Sequence, residues 1–243
     1  MPLLPDISTV AQTTHLNVRD LGCEREGKWL FRNMTWSVPR GSFVAITGPS
    51  GSGKTSLLRI LSALENPAEG AISYSCQEGC QHEPDLFQKR MGIIFQNFRL
   101  SPTSTLLDNV LTGRLARYPW WRSTFGFPPS DKQEALELLE TLGLAHRTNH
   151  WAAEVSGGEQ QRTSVARAFF QQPEIILADE PVSQLDPELA VRVLDQLRSF
   201  TTSGAASVLC VLHDPTWINL YADYLIKIDP RSPDHGCLLR VEA

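Results

Sequence analysis

Residues 43–64 read FVAITGPSGSGKTSLLRILSAL, and this stretch decides the fold. Its first five residues are continuously apolar or small, as in a strand buried on both faces. The next segment, Gly48, Pro49, Ser50, Gly51, Ser52, Gly53, Lys54 and Thr55, fits the pattern G-x-x-x-x-G-K-[ST] between a strand and a helix. The glycines let successive backbone N–H groups turn inward around phosphate oxygens, and the helix N-terminus adds the positive end of its dipole. Lys54 then reaches the outer phosphates of a nucleoside triphosphate, the Thr55 hydroxyl is placed to coordinate Mg2+, and Ser56 follows at the mouth of the loop. After it, Leu57, Leu58, Leu61 and Leu64 form a helical apolar stripe.

Working outward, short alternating stretches from His15, broken by Gly27 and Gly41, predict antiparallel strands. Residues 1–14 show no sustained periodicity and read as a loose end ahead of one domain spanning 15–243. A second buried strand, MGIIF, ends at Gln96. Residues 97–164 change character and read as a helical insertion. Within it Ser130 and Gln133 form a candidate capping box, Leu136, Leu139 and Leu142 a helical face, and Gly143 a helix stop. Two more apolar strands, before Asp179 and before His213, flank a helix from Pro187 to about Phe200. Strands alternating with helices imply an α/β fold built on a mostly parallel sheet.

Asp179 and Glu180 follow the first of those late strands directly, where the ends of parallel strands open into a ligand crevice. Adjacent carboxylates there can divide the work, Asp179 holding the metal and Glu180 orienting and deprotonating an attacking water. The segment VSGGEQQR, residues 155–162, carries Ser156 and Glu159 at capping-box spacing. A cap alone does not require Gly157 and Gly158, which permit close approach of an anion to free N–H groups.

Composition narrows the function classes. The chain has 243 residues, enough for one large α/β domain with a smaller subdomain. With 22 basic against 27 acidic residues and a net charge of -5 it offers no broad cationic face, so nucleic acid is not an expected partner. No apolar run approaches the roughly 20 residues that span a bilayer, and the N-terminus lacks signal-peptide features, so the chain is expected to be soluble and cytosolic. The 5 cysteines are expected to be reduced thiols. Cys76, Cys80 and His82 lack a second pair to complete a zinc shell, and CQEGCQH reads better as a polar hairpin tip.

GPSGSGKT, Gln96 after a strand, VSGGEQQR, ILADEP, SQLD and LHD occur in the order and at about the spacing of ABC transporter ATPase domains, which the chain resembles from about residue 15 onward. The resemblance implies a P-loop core with an N-terminal antiparallel subdomain and a helical insertion, and ATP and Mg2+ as ligands. It implies that Gln96 senses metal and attacking water, with Thr55 and Asp179 completing the metal set, and that His213 contacts the γ-phosphate. It also implies that Ser156, Gly157 and Gly158 contact the nucleotide of a second ATPase subunit, with Asp186 in the loop linking the two sites. Glu180, His213, Gln96 and Lys54 then carry catalysis. The place where family members put an adenine-stacking aromatic is occupied by Arg25, with Trp29 nearby as a substitute. Glu159 and Gln184 are further departures, and neither removes a phosphate-contacting group.

Two other classes are weighed. Permease-free ABC proteins usually carry two cassettes or a long coiled-coil insertion, and a regulatory relative would be expected to lose Lys54, Glu180 or His213. A dimer is therefore expected on the cytoplasmic face of the membrane, with integral-membrane permeases and a substrate-binding protein. Phe98, Leu100 and the segment from Pro119 to Arg122 are candidates for the permease-facing side. Residues 109–144, NVLTGRLARYPWWRSTFGFPPSDKQEALELLETLGL, resemble the insertion of phosphonate-import ATPases. The alternative is another ABC system, importing amino acids or exporting lipids or peptides.

Overall fold

The structure is a computed structural model, and it describes residues 14–75, 81–82, 87–118, 126–204, 206–229 and 238–241. Two sheets organise it. The first pairs β1 (Thr14–Arg25), β2 (Lys28–Pro39), β4 (Glu69–Ser75) and β5 (Gln81–His82) in the antiparallel order β2-β1-β4-β5. The second has the order β10-β9-β3-β8-β7-β6, from β3 (Phe43–Thr47), β6 (Met91–Ile94), β7 (Ile175–Ala178), β8 (Ser207–Val211), β9 (Tyr224–Lys227) and β10 (Leu238–Arg240). All its pairings are parallel except that of β9 with β10.

The side-chain alternation of the central strands divides the core into two layers. Phe43 and Ala45 of β3, Ile176 and Ala178 of β7, and Val208 and Cys210 of β8 face one layer. There they meet α2 (Leu106–Leu111), α3 (Pro129–Thr141), α4 (Gly157–Phe170) and α5 (Pro187–Thr202). Val44, Ile46, Ile175, Leu177, Leu209 and Val211 face the other, against α1 (Lys54–Leu61) and the antiparallel sheet. Covering both faces explains why these strands read as unbroken apolar runs.

Local readings differ from the structure in three places. α1 stops at Leu61, because Ala63 adopts φ 55°, so Leu64 is 43% exposed and Ile60 takes its place in the core. α3 starts at Pro129 with Pro128 as its cap, since proline suits the first helical position; Ser130 is therefore already inside the helix and caps nothing. The buried face of α3 is Asp131, Ala135 and Leu139. Thr14, the last residue of the expected loose end, begins β1. Cys76, Cys80 and the segment from Pro119 to Arg122 lie outside the described residues.

Candidate functional site

Because β3, β6, β7 and β8 run parallel, their carboxyl ends share one edge of the sheet, and the chemistry-bearing residues follow from that. The phosphate loop leaves β3, Gln96 lies just beyond β6, Asp179 and Glu180 follow β7, and His213 comes two residues after β8.

Local backbone chemistry shapes the phosphate loop. Gly51 and Gly53 adopt φ 76° and 101°, a region costly for side-chain-bearing residues. A Cβ at Gly48 would overlap the Ile228 carbonyl oxygen of the neighbouring chain segment. Lys54 is 7% exposed, and its ammonium donates to the carbonyls of Gly48 (2.8 Å) and Pro49 (2.9 Å). Burial lowers its pKa, and the Glu180 and Asp179 charges work against that shift. Ser52 is fully buried, and its hydroxyl has no hydrogen-bond partner among the described residues. A buried hydroxyl and a folded-back ammonium in one loop fit an anionic ligand that both can serve.

Asp179 is 7% exposed; burial pushes its carboxyl above the usual range, against a hydrogen bond with Thr55 and the charges of Arg59 and Lys54. Thr55, Gln96 and Asp179 line one recess of about 60 Å3. A hydroxyl, an amide carbonyl and a carboxylate disfavoured by desolvation make an all-oxygen donor set that fits Mg2+. Beside it, Glu180 adopts φ 52°, and its Oε1 lies 2.8 Å from His213 Nε2. Backbone strain of this kind costs about 1–3 kcal/mol and concentrates at functional positions.

The second group sits on helix starts. Ser156 caps α4: its hydroxyl accepts from the Glu159 N–H, while Glu159 Oε2 accepts from the Ser156 N–H and hydroxyl, both at 2.8 Å. These bonds and Arg147 hold the Glu159 carboxyl below its usual range. Asp186 caps α5, accepting from the Leu189 N–H at 3.0 Å. Gln184 lies against Gly157, close enough that a Cβ there would meet its Oε1 at 2.9 Å. Among the described residues, no hydrogen bond or ion pair links Ser156, Gly157 or Gly158 to the phosphate loop.

Arg25 pairs with Glu65, which also takes Arg59 at 3.1 Å. The Trp29 ring lies beneath the Arg32 guanidinium at 4.5 Å. Cys23, on the strand that carries Arg25, contacts Ser56 at the mouth of the phosphate loop, whereas Trp29 lies on β2. Phe98 and Arg99 adopt φ 53° and 48° beyond Gln96, their carbonyls clamped by the Arg167 guanidinium at 2.8 and 2.7 Å. Gln161, which the motif reading passes over, donates to the Glu180 carbonyl at 2.9 Å. Its sequence signal is its place in the VSGGEQQR segment, on the inward side of a helix.

Residues 31–183 match the family described as ABC transporter. The phosphonates import ATP-binding protein PhnC of Lactobacillus delbrueckii subsp. bulgaricus is 40% identical over 186 residues, covering 75% of this chain and 73% of that one. PhnC 1 of Rhodopseudomonas palustris is 39% identical over 218 residues, covering 87% and 80%. Among solved structures, a dimeric ATP-binding cassette in a post-hydrolysis state with ADP and Pi superposes with a TM-score of 0.79 at 26% identity, covering 94% of this chain and 99% of that one. Phosphate loop, paired carboxylates and capped glycine helix thus meet in a chain that belongs to the ABC transporter family, as one of its ATP-hydrolysing cassettes.

Proposed function

We propose that this chain, paired with a second copy on the cytoplasmic face of the membrane, hydrolyses ATP to drive import of phosphonates or a related phosphorus oxyanion. The path is formed by separate permease subunits, and a substrate-binding protein delivers the cargo. The observation that carries the cargo class is the likeness to phosphonate importers across most of the chain. No described helix is long and apolar enough to cross a membrane.

The chain's own residues divide the chemistry. Lys54 exchanges the Gly48 and Pro49 carbonyls for the β- and γ-phosphates, and the N–H groups from Gly51 to Ser56, with the Ser52 hydroxyl, surround the same anion. Glu180 accepts the proton of the attacking water, and His213, within hydrogen-bond reach, steers its carboxylate and then the γ-phosphate. Thr55, Gln96 and Asp179 hold Mg2+, which when bound neutralises charge on the phosphoryl oxygens. Ser156, Gly157 and Gly158, exposed or half-exposed, serve the nucleotide of the second copy, with Asp186 between the two sites. Arg25, after releasing Glu65, or Trp29 covers the adenine. Residues 97–164 act as the inserted helical subdomain that meets the permease.

The cargo is tested by growth on a phosphonate as sole phosphorus source. A deletion strain should fail where its parent grows. Equal growth, in a genome with no second such transporter, overturns the cargo and leaves the ATPase chemistry standing.

A further inference from the structure

Gln161 lies one turn into α4 and is 3% exposed. Its Nε2 donates to the Glu180 carbonyl oxygen at 2.9 Å. The same carbonyl takes the Ser183 hydroxyl at 3.1 Å and the Ser183 N–H at 3.3 Å, both from its own turn, so Gln161 supplies the shortest of these bonds and the one that ties the turn to α4. That peptide belongs to the residue held at φ 52°. The other end of the amide is expensive: Oε1 is buried with no hydrogen-bond partner among the described residues. An orphaned buried acceptor costs about 1–3 kcal/mol, so an apolar side chain of equal length would suit the packing as well or better. What such a side chain could not provide is the N–H on the Glu180 carbonyl.

We propose that Gln161 is a positioning residue for Glu180, holding the backbone of the general base in its left-handed conformation from the helix whose first turn serves the opposite nucleotide. The inference rests on Glu180 being that base. Releasing the bond lets the peptide relax toward ordinary φ values and swings the carboxylate away from the water it must deprotonate. Substrate binding, carried by the phosphate loop, is untouched.

The test is steady-state ATPase kinetics of the assembled transporter carrying Gln161→Met, which keeps the length and loses the donor, and Gln161→Glu, which keeps the shape. Losing one buried hydrogen bond should lower kcat by roughly tenfold, with KM for ATP within about twofold. Gln161→His, which retains a donor, should recover part of kcat. In a Glu180→Gln background Gln161→Met should add no further loss, since both act on one step. If Gln161→Met does not assemble, Gln161→Glu carries the test. Full kcat in either variant, or a raised KM at constant kcat, overturns the proposal. An inactive Glu180→Gln beside a fully active Gln161→Met sinks this inference alone; a fully active Glu180→Gln removes the base reading and this one with it.

Discussion

The phosphate loop and the glycine helix start at Ser156 are both anion-shaped, yet their surroundings are opposite. In the loop the polar side chains at its base are enclosed although Pro49, Ser50 and Gly51 are exposed: Lys54 and Asp179 are each 7% exposed, Ser52 is fully buried, and the ammonium is held by the loop's own carbonyls. At α4, Ser156 and Gly157 face solvent, and the polar groups are occupied by a local capping box. Their carboxylates are also shifted in opposite directions. Desolvation raises Asp179, whereas the hydrogen bonds from Ser156 lower Glu159. The contrast teaches that one group of polar side chains is packed inside this chain, while the other lies at its surface with its bonds closed locally.

The largest expected effect breaks the enclosed half chemically. Glu180→Gln keeps the side-chain shape but cannot take a proton, so kcat should fall by roughly 10²–10⁴ while ATP binding persists. Gel filtration with ATP should show an accumulated dimer. Near-normal turnover would remove Glu180 from the reaction.

Glycine substitutions sharpen the contrast at the next scale. Gly48→Ala forces a Cβ onto the Ile228 carbonyl and should lower folding stability of the chain by about 1–3 kcal/mol, read by denaturant melts. Gly157→Ala meets only the end of the flexible Gln184 side chain, so its melt should match the parent's. It should instead weaken ATP-driven dimerisation in sedimentation. If both variants melt alike, the difference between a closed and an open half is wrong.

The smallest effect is electrostatic. The Glu159 carboxyl is lowered in the folded chain, so its stabilisation is complete above the unfolded value of about 4.3 and is lost as pH falls through the folded value. Glu159→Gln should cost about 0.3–1 kcal/mol near pH 7, and that difference from the parent should vanish in acid. A difference that persists after the folded carboxyl has been protonated, as followed by NMR titration, would mean that the carboxylate charge is not what holds the cap.

Much of this was legible in the chain itself, for local reasons. The Ser156 and Glu159 box forms both of its bonds because its members sit one turn apart and α4 begins between them. The box at Ser130 was not legible, because Pro129 sets the helix start and no rule of spacing overrides its fixed φ. The stripe through Leu64 fails for a similar reason, since the positive φ at Ala63 turns the chain before the period is complete. Arg25 was placed by position alone, and Glu65, 40 residues away, claims its guanidinium. Gln161 stood within VSGGEQQR but had no role there until its partner, the Glu180 carbonyl 19 residues away, was known.

What the sequence alone determined is therefore the set of features closed over a few residues. These are the glycine loop between strand and helix, the capped glycine start, and the apolar runs that had to be buried on both faces. Tertiary structure decided the rest: that four strand ends converge, that His213 comes within 2.8 Å of Glu180 across 33 residues, and that Gln161 reaches the same residue across 19. The reason is physical. Backbone geometry and capping act at the range of one helical turn, whereas burial, desolvation and long-range hydrogen bonds exist only once sheet order and helix packing have brought distant residues to the same edge.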